Sequence, residues 1–107
     1  MPSPGDVVVV DFPGAQGVKR RPAVVLSSAA YHAERPDVIL GVLTSNLTAA
    51  TPTSDHVLQD WKSVGLNQPS AFRAFVQTVA ARDVHVIGKL APNDWTEVQR
   101  RLRTALG

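Results

Sequence analysis

Three consecutive cations, Lys19, Arg20 and Arg21, stand directly before a proline and an apolar run in the stretch GVKRRPAVVL. A basic triplet of this kind has two readings. It can be a solvated hairpin tip, where charge keeps an edge from pairing with neighbours. It can also be an anion site, and Pro22 points that way for Arg21, because its ring fixes the local backbone and biases the preceding residue toward extended geometry. Strand alternation then puts Arg21 on the face of Ala23 and Val25, so that its guanidinium leaves the strand end in a defined direction. A planar, charged fork presented in that way suits two oxygens of one phosphate. The second candidate is GVLTSN, an apolar strand ending in Thr44, Ser45 and Asn46. Two hydroxyls and an amide either terminate the strand or offer donors to an oxyanion.

Other chemistry is sparse. The chain has no cysteine, which removes disulfides and thiolate metal sites, and its three histidines, His32, His56 and His85, are too scattered to suggest metal ligation. No metal and no cofactor are expected. An imidazole suits proton transfer near neutral pH, but His56, alone in SDHVL, reads as readily as a structural or surface residue. Trp61 is open to three roles: stacking a base, filling the core, or covering a dimer interface.

These residues need elements to hold them. GDVVVVDF carries four consecutive valines, a β-branched run with the look of a strand buried on both faces, and predicts a first strand over Asp6–Phe12. Turn-forming PGAQG follows, and RPAVVLSS predicts a second strand, so the pair makes a hairpin with a long cationic tip. AAYHAERPD reads as a polar connection, with Pro36 against any extended helix. A third strand is predicted over Val38–Ser45, a short fourth within SDHVLQ, a fifth with a bend or bulge over Ala71–Ala81, and a sixth in VHVIGKL, where Gly88 eases a bend or close packing. Pro92 then starts a C-terminal helix whose Trp95, Val98, Leu102 and Leu106 recur at helical spacing and predict a face docked on the sheet. The result is a single domain over residues 1–107, mainly β with one terminal helix, in a small bent sheet or partly open barrel of about six strands.

Composition agrees with such a domain: 107 residues, 44% hydrophobic and 19% charged, with a net charge of only +2. So small a net charge leaves any attraction to a polyanion to local clustering. No apolar run reaches the length of a membrane span and MPSPGD lacks a signal-peptide pattern, so no membrane association and a cytoplasmic location are expected.

In order and spacing, GDVVVVDFP, KRRPAVVLS, VLTSN, WKSVGLNQPS and GKL followed by a helix resemble the MazF/PemK family of toxin endoribonucleases. The resemblance runs over nearly the whole chain and is strongest over residues 5–46. It implies an SH3-like barrel of the CcdB/MazF type, usually a homodimer, that cleaves single-stranded RNA without metal and is restrained by a cognate antitoxin. It also implies catalytic roles for Arg21, the arginine before proline, and for Thr44. Lys19, Arg20, Ser45 and Asn46 are carried as RNA-binding candidates. The chain departs from the family in its fifth strand, where Gln77, Ala80 and Ala81 stand in place of charged residues. A catalytically inactive binding barrel and a gyrase-directed toxin of the same fold are the alternatives. The C-terminal TALG has no terminal aromatic and argues against the gyrase-directed form.

Overall fold

The computed structural model describes residues 2–14, 17–49 and 53–107. Six strands, β1 (Asp6–Gly14), β2 (Gly17–Val25), β3 (Asp37–Thr44), β4 (His56–Val57), β5 (Ala71–Ala80) and β6 (Val84–Lys89), form one curled antiparallel sheet in the order β4-β5-β3-β2-β1-β6. Helix α1 (Ala29–Glu34) links β2 to β3, and α2 (Pro92–Leu106) follows β6. The mainly β architecture with a C-terminal helix is the one expected.

The valine run explains the centre of the sheet. Val7 joins Val24, Leu43, Leu58, Val64, Phe72, Leu90 and Val98 in a core on the helix side, with Trp61, Trp95 and Leu102 packed against it. Val8 and Val10 join Ala23, Val25, Val38, Leu40 and Val84 in a second core on the other face. Successive side chains alternate between the faces, so four valines in a row supply both cores. Val9 has the parity of Val7 yet is only half-buried, because its part of that face lies open.

Two irregularities bend the sheet. Along β5 the register shifts between the pairs Gly41–Val76 and Val42–Arg73, leaving Ala74 and Phe75 as extra residues, which is the expected bulge. Along β6 the pairs Val7–Gly88 and Val8–Val86 leave Ile87 extra. Gly88 is required there by contact, since a Cβ would come within 2.7 Å of the Val64 carbonyl oxygen.

Three expectations need correction. β2 begins at Gly17, so Lys19, Arg20 and Arg21 lie within the hairpin ladder, opposite Phe12, Asp11 and Val10, and do not form a loop tip. The polar connection AAYHAERPD holds the six-residue α1, whose N-cap Ser28 accepts from the Tyr31 amide and whose end at Glu34 respects Pro36. The fourth strand, expected to be short, is the two-residue β4 within SDHVLQ. Leu106 falls in the last turn of α2, past the sheet, and is 76% exposed. Trp61 packs on the helix-side core, with the Lys62 ammonium 5.6 Å from its ring centroid.

Candidate functional site

The helix-side face opens beyond its core into a cleft of about 480 Å³, within the ~300–1,000 Å³ range of small-ligand sites. Its floor is Val9, its cross-strand partner Pro22, and Leu43. One wall is cationic and hydroxylic, from Lys19, Arg20, Arg21, Thr44 and Ser45. The other comes from the segment between β4 and β5, with Gly65, Leu66, Asn67, Gln68 and Ser70, and from Ile87 of the β6 bulge.

Antiparallel pairing brings these residues together. β2 and β3 are neighbours, and their pairing at Ala23–Val42 sets the end of β3 beside the cationic end of β2. Of the six candidate residues, five line the cleft. Asn46 does not: its side-chain oxygen accepts from the Thr48 hydroxyl at 2.7 Å, making it a turn residue. Its backbone N–H donates to Thr44 Oγ1 at 3.1 Å. Because Thr44 thereby receives a hydrogen bond, its own O–H is left to donate.

The three cations are not equivalent. Arg20 pairs with Asp11 at 3.3 Å, with side chains 56% and 58% exposed, so the bond contributes little to stability but locally offsets the charge. Lys19 and Arg21 have no ionic partner among the described residues. Arg21 reaches the cleft at its rim, since Ala23 and Val25, which share its strand parity, are buried in the second core while Pro22 floors the cleft. Lys19, Arg20 and Arg21 are also the only titratable side chains among the lining residues.

The histidines lie elsewhere. His56 Nε2 and Asp94 Oδ1 are 2.8 Å apart in a buried pair, and Asp94 also accepts from the backbone N–H groups of Gln59 and Asp60 at 2.9 and 3.0 Å. Burial pushes the Asp94 carboxyl upward, but those two N–H groups and His56 outweigh it and hold the group below the usual value. His32 is buried against the Ser27 hydroxyl. His85 is exposed on β6 and outside the cleft lining. Among the described residues no cluster of three or more His, Asp or Glu is placed to hold a metal ion. Among the described residues no helix is long and apolar enough to cross a membrane.

Sequence reasoning missed the neutral wall. Residues 65–70 have loop composition, and the available signal was Gln68–Pro69, the same residue-before-proline arrangement as Arg21–Pro22.

The described residues thus form a curled half-barrel with a C-terminal helix and a cationic cleft beside the end of β3. The sequence matches the family described as PemK-like, MazF-like toxin of type II toxin-antitoxin system over residues 3–106. The chain belongs to that family. Among solved structures it is similar to an endoribonuclease in complex with its cognate antitoxin from a Mycobacterial species, at 22% identity and a TM-score of 0.78, covering 100% of this chain and 96% of the other. It is also similar to MazF in a MazE–MazF complex from Deinococcus radiodurans, at 25% identity and a TM-score of 0.78, covering 99% and 96%. A MazF toxin of Mycobacterium tuberculosis gives 18% identity and a TM-score of 0.76 over 94% and 95%. No curated protein matches the chain in sequence.

Proposed function

We propose that the protein is a metal-independent endoribonuclease toxin that cleaves single-stranded RNA in the cytoplasm, acts as a homodimer and is neutralised by a cognate antitoxin. The observation that carries this reading is the cleft wall, where a guanidinium without an ionic partner and a threonine O–H without an acceptor, among the described residues, both line a cleft with an apolar floor. Family membership supports the toxin role, and similar structures described as an endoribonuclease or as complexes with an antitoxin support the activity and the partner.

The reaction is transesterification. The ribose 2'-oxygen attacks the adjacent phosphorus and the bond from phosphorus to the 5'-oxygen breaks. A 2',3'-cyclic phosphate remains on one fragment and a 5'-hydroxyl on the other, with the 2'-proton given up and a proton taken by the leaving oxygen. Arg21 grips two non-bridging oxygens and stabilises the charge that grows on them, while Thr44 donates to one of the same oxygens. Lys19 and Ser45 hold the strand nearly in line for attack. Among the described lining residues there is no carboxylate or imidazole, and water is assigned the proton movement. Single-stranded RNA is the substrate because only RNA has the 2'-hydroxyl and only unpaired bases present free edges.

The apolar exposure of Phe75, 58%, Val76, 43%, and Val57, 46%, on neighbouring strands supports a second copy as the cover for that edge. Sedimentation at micromolar concentration giving only monomer would count against the dimer. The activity is tested with labelled single-stranded RNA in excess chelator, beside a gyrase supercoiling assay. Fragments ending in cyclic phosphate, with gyrase unaffected, are expected. Intact RNA would leave the binding barrel, and gyrase inhibition the gyrase-directed toxin.

A further inference from the structure

The two walls of the cleft differ in the information they can read. Contacts to phosphate position a strand but do not distinguish its bases, whereas a side-chain amide, with a donor and an acceptor side by side, pairs with two adjacent groups on a base edge. The cationic wall is of the first kind. The opposite wall carries two amides, Asn67 and Gln68, both exposed to the cleft and neither with a side-chain hydrogen bond among the described residues.

The backbone that carries these amides is held in place. Gly65 takes a left-handed conformation at φ 85°, closed by its N–H to the Lys62 carbonyl. Just before it, Val64 packs so closely on Gly88 that a Cβ there would clash with its backbone. Leu66 packs on the helix-side core. On the far side, Pro69 restricts Gln68 to extended geometry, and the buried Ser70 donates its hydroxyl to the Gln68 carbonyl at 3.0 Å while its own carbonyl accepts from Leu58 N–H. Arg21 and Gln68 thus both line the cleft, each followed by a proline that restricts its backbone, one presenting a charge and the other an amide. Ile87, 38% exposed, and Leu66 add apolar surface against which a base face can lie.

We infer that Asn67 and Gln68 read the base of a nucleotide adjacent to the scissile phosphate, and that this neutral wall sets the cleavage sequence while the cationic wall performs the cleavage. The inference rests on the ribonuclease reading of the same cleft. A bidentate amide–base contact is worth roughly tenfold to a hundredfold in discrimination, and flanking positions read elsewhere keep their preference.

The test uses an RNA pool with a randomised segment, cut by the full-length wild type, by Asn67→Ala, Gln68→Ala and the double variant, with the 5'-hydroxyl ends sequenced. The readout is the base ratio at each position around the cut, which survives any fall in total rate. Thermal melts check that the variants are folded, as expected for exposed side chains. We expect the preference at one position to flatten by about tenfold or more in the double variant, with the others retained. Binding selection from the same pool on Arg21→Ala protein, with and without the two amide substitutions, repeats the comparison without turnover. A folded double variant whose cut motif and selected sequences equal those of the wild type would overturn the inference and leave the ribonuclease reading standing. If the wild type cut no RNA and selected none, the ribonuclease reading would fail and take this inference with it.

Discussion

Two polar clusters among the described residues are built in opposite ways. Around Asp94 the groups are buried and matched: one carboxylate oxygen meets His56 and the Gln59 N–H, and the other meets the Asp60 N–H. Around the cleft, Lys19, Arg21, Asn67 and Gln68 are exposed, and none of these side chains has a polar partner among the described residues. Buried polar groups are costly unless paired, so a closed network of this kind holds a fold together. Donors left open in a concavity are what a ligand completes. The two clusters share one stretch of chain, residues 58–70, which Asp94 anchors at its start and which forms the neutral cleft wall at its end. Histidine and carboxylate, the usual signs of acid–base chemistry, therefore mark the structural cluster here.

The comparison breaks first on the structural side. Asp94→Ala strips the acceptor from two backbone N–H groups and from buried His56, and is expected to lower unfolding free energy by about 3–5 kcal/mol in urea titrations. That is a large share of the roughly 5–15 kcal/mol typical of a whole domain. Its pH dependence follows from the depressed carboxyl. Folded Asp94 binds a proton less readily than it does in the unfolded chain, so its contribution is complete above the usual value of 3.8 and is lost as pH falls through the lower folded value. The stability gap between wild type and variant should hold at neutral pH and narrow below about pH 4. A gap unchanged at low pH would show that Asp94 acts through packing alone.

Arg21→Ala should do the reverse. Cleavage is expected to fall about a hundredfold or more, with the melting temperature unchanged, because the side chain is exposed. Arg21→Lys recovers only part, since a point charge does not reproduce the bidentate fork. Near-normal cleavage by folded Arg21→Ala protein would remove the proposed centre of the mechanism. Thr44→Val sharpens the contrast at smaller scale. It removes the proposed donor to the phosphate and the acceptor of the Asn46 N–H, and a loss of about tenfold in rate is expected in single-turnover assays.

What could be read in the sequence follows the same division. The valine run, the bulged fifth strand and the Pro92 start of α2 were legible because each is a local pattern with a single period or punctuation. The start of β2 was not, because Lys19–Arg21 have loop-like composition and only the pairing with β1, including Arg20 against Asp11, shows that the ladder continues through them. Helix α1 is too short for periodicity and rests on Ser28 as a cap. Thr44 and Ser45 were visible at the end of an apolar strand, whereas Asn67 and Gln68 enter the cleft only through long-range packing of Val64 and Leu66.

The smallest expected effect concerns the antitoxin and tests whether the cationic wall serves two ligands. The feature that attracts a phosphate backbone also attracts carboxylates, and an acidic, partly disordered segment can wrap such a wall while ordering on it. Binding would then block the RNA path. The choice of residue matters. Arg20→Glu would set a carboxylate opposite Asp11 across the strand pair and disturb the hairpin as well as the charge. Lys19 is exposed and has no ionic partner among the described residues, so Lys19→Glu changes the field alone. Association with the cognate antitoxin, followed by stopped flow, is expected to slow about three- to tenfold at low salt. The difference should fade as added salt shortens the Debye length to about 10 Å at 0.1 M and less beyond it. Dissociation, set mainly by apolar anchors of the peptide, changes less, and RNA affinity falls in parallel with the association rate. An unchanged association rate and salt dependence, in a variant that has lost RNA affinity, would place the antitoxin on a different surface.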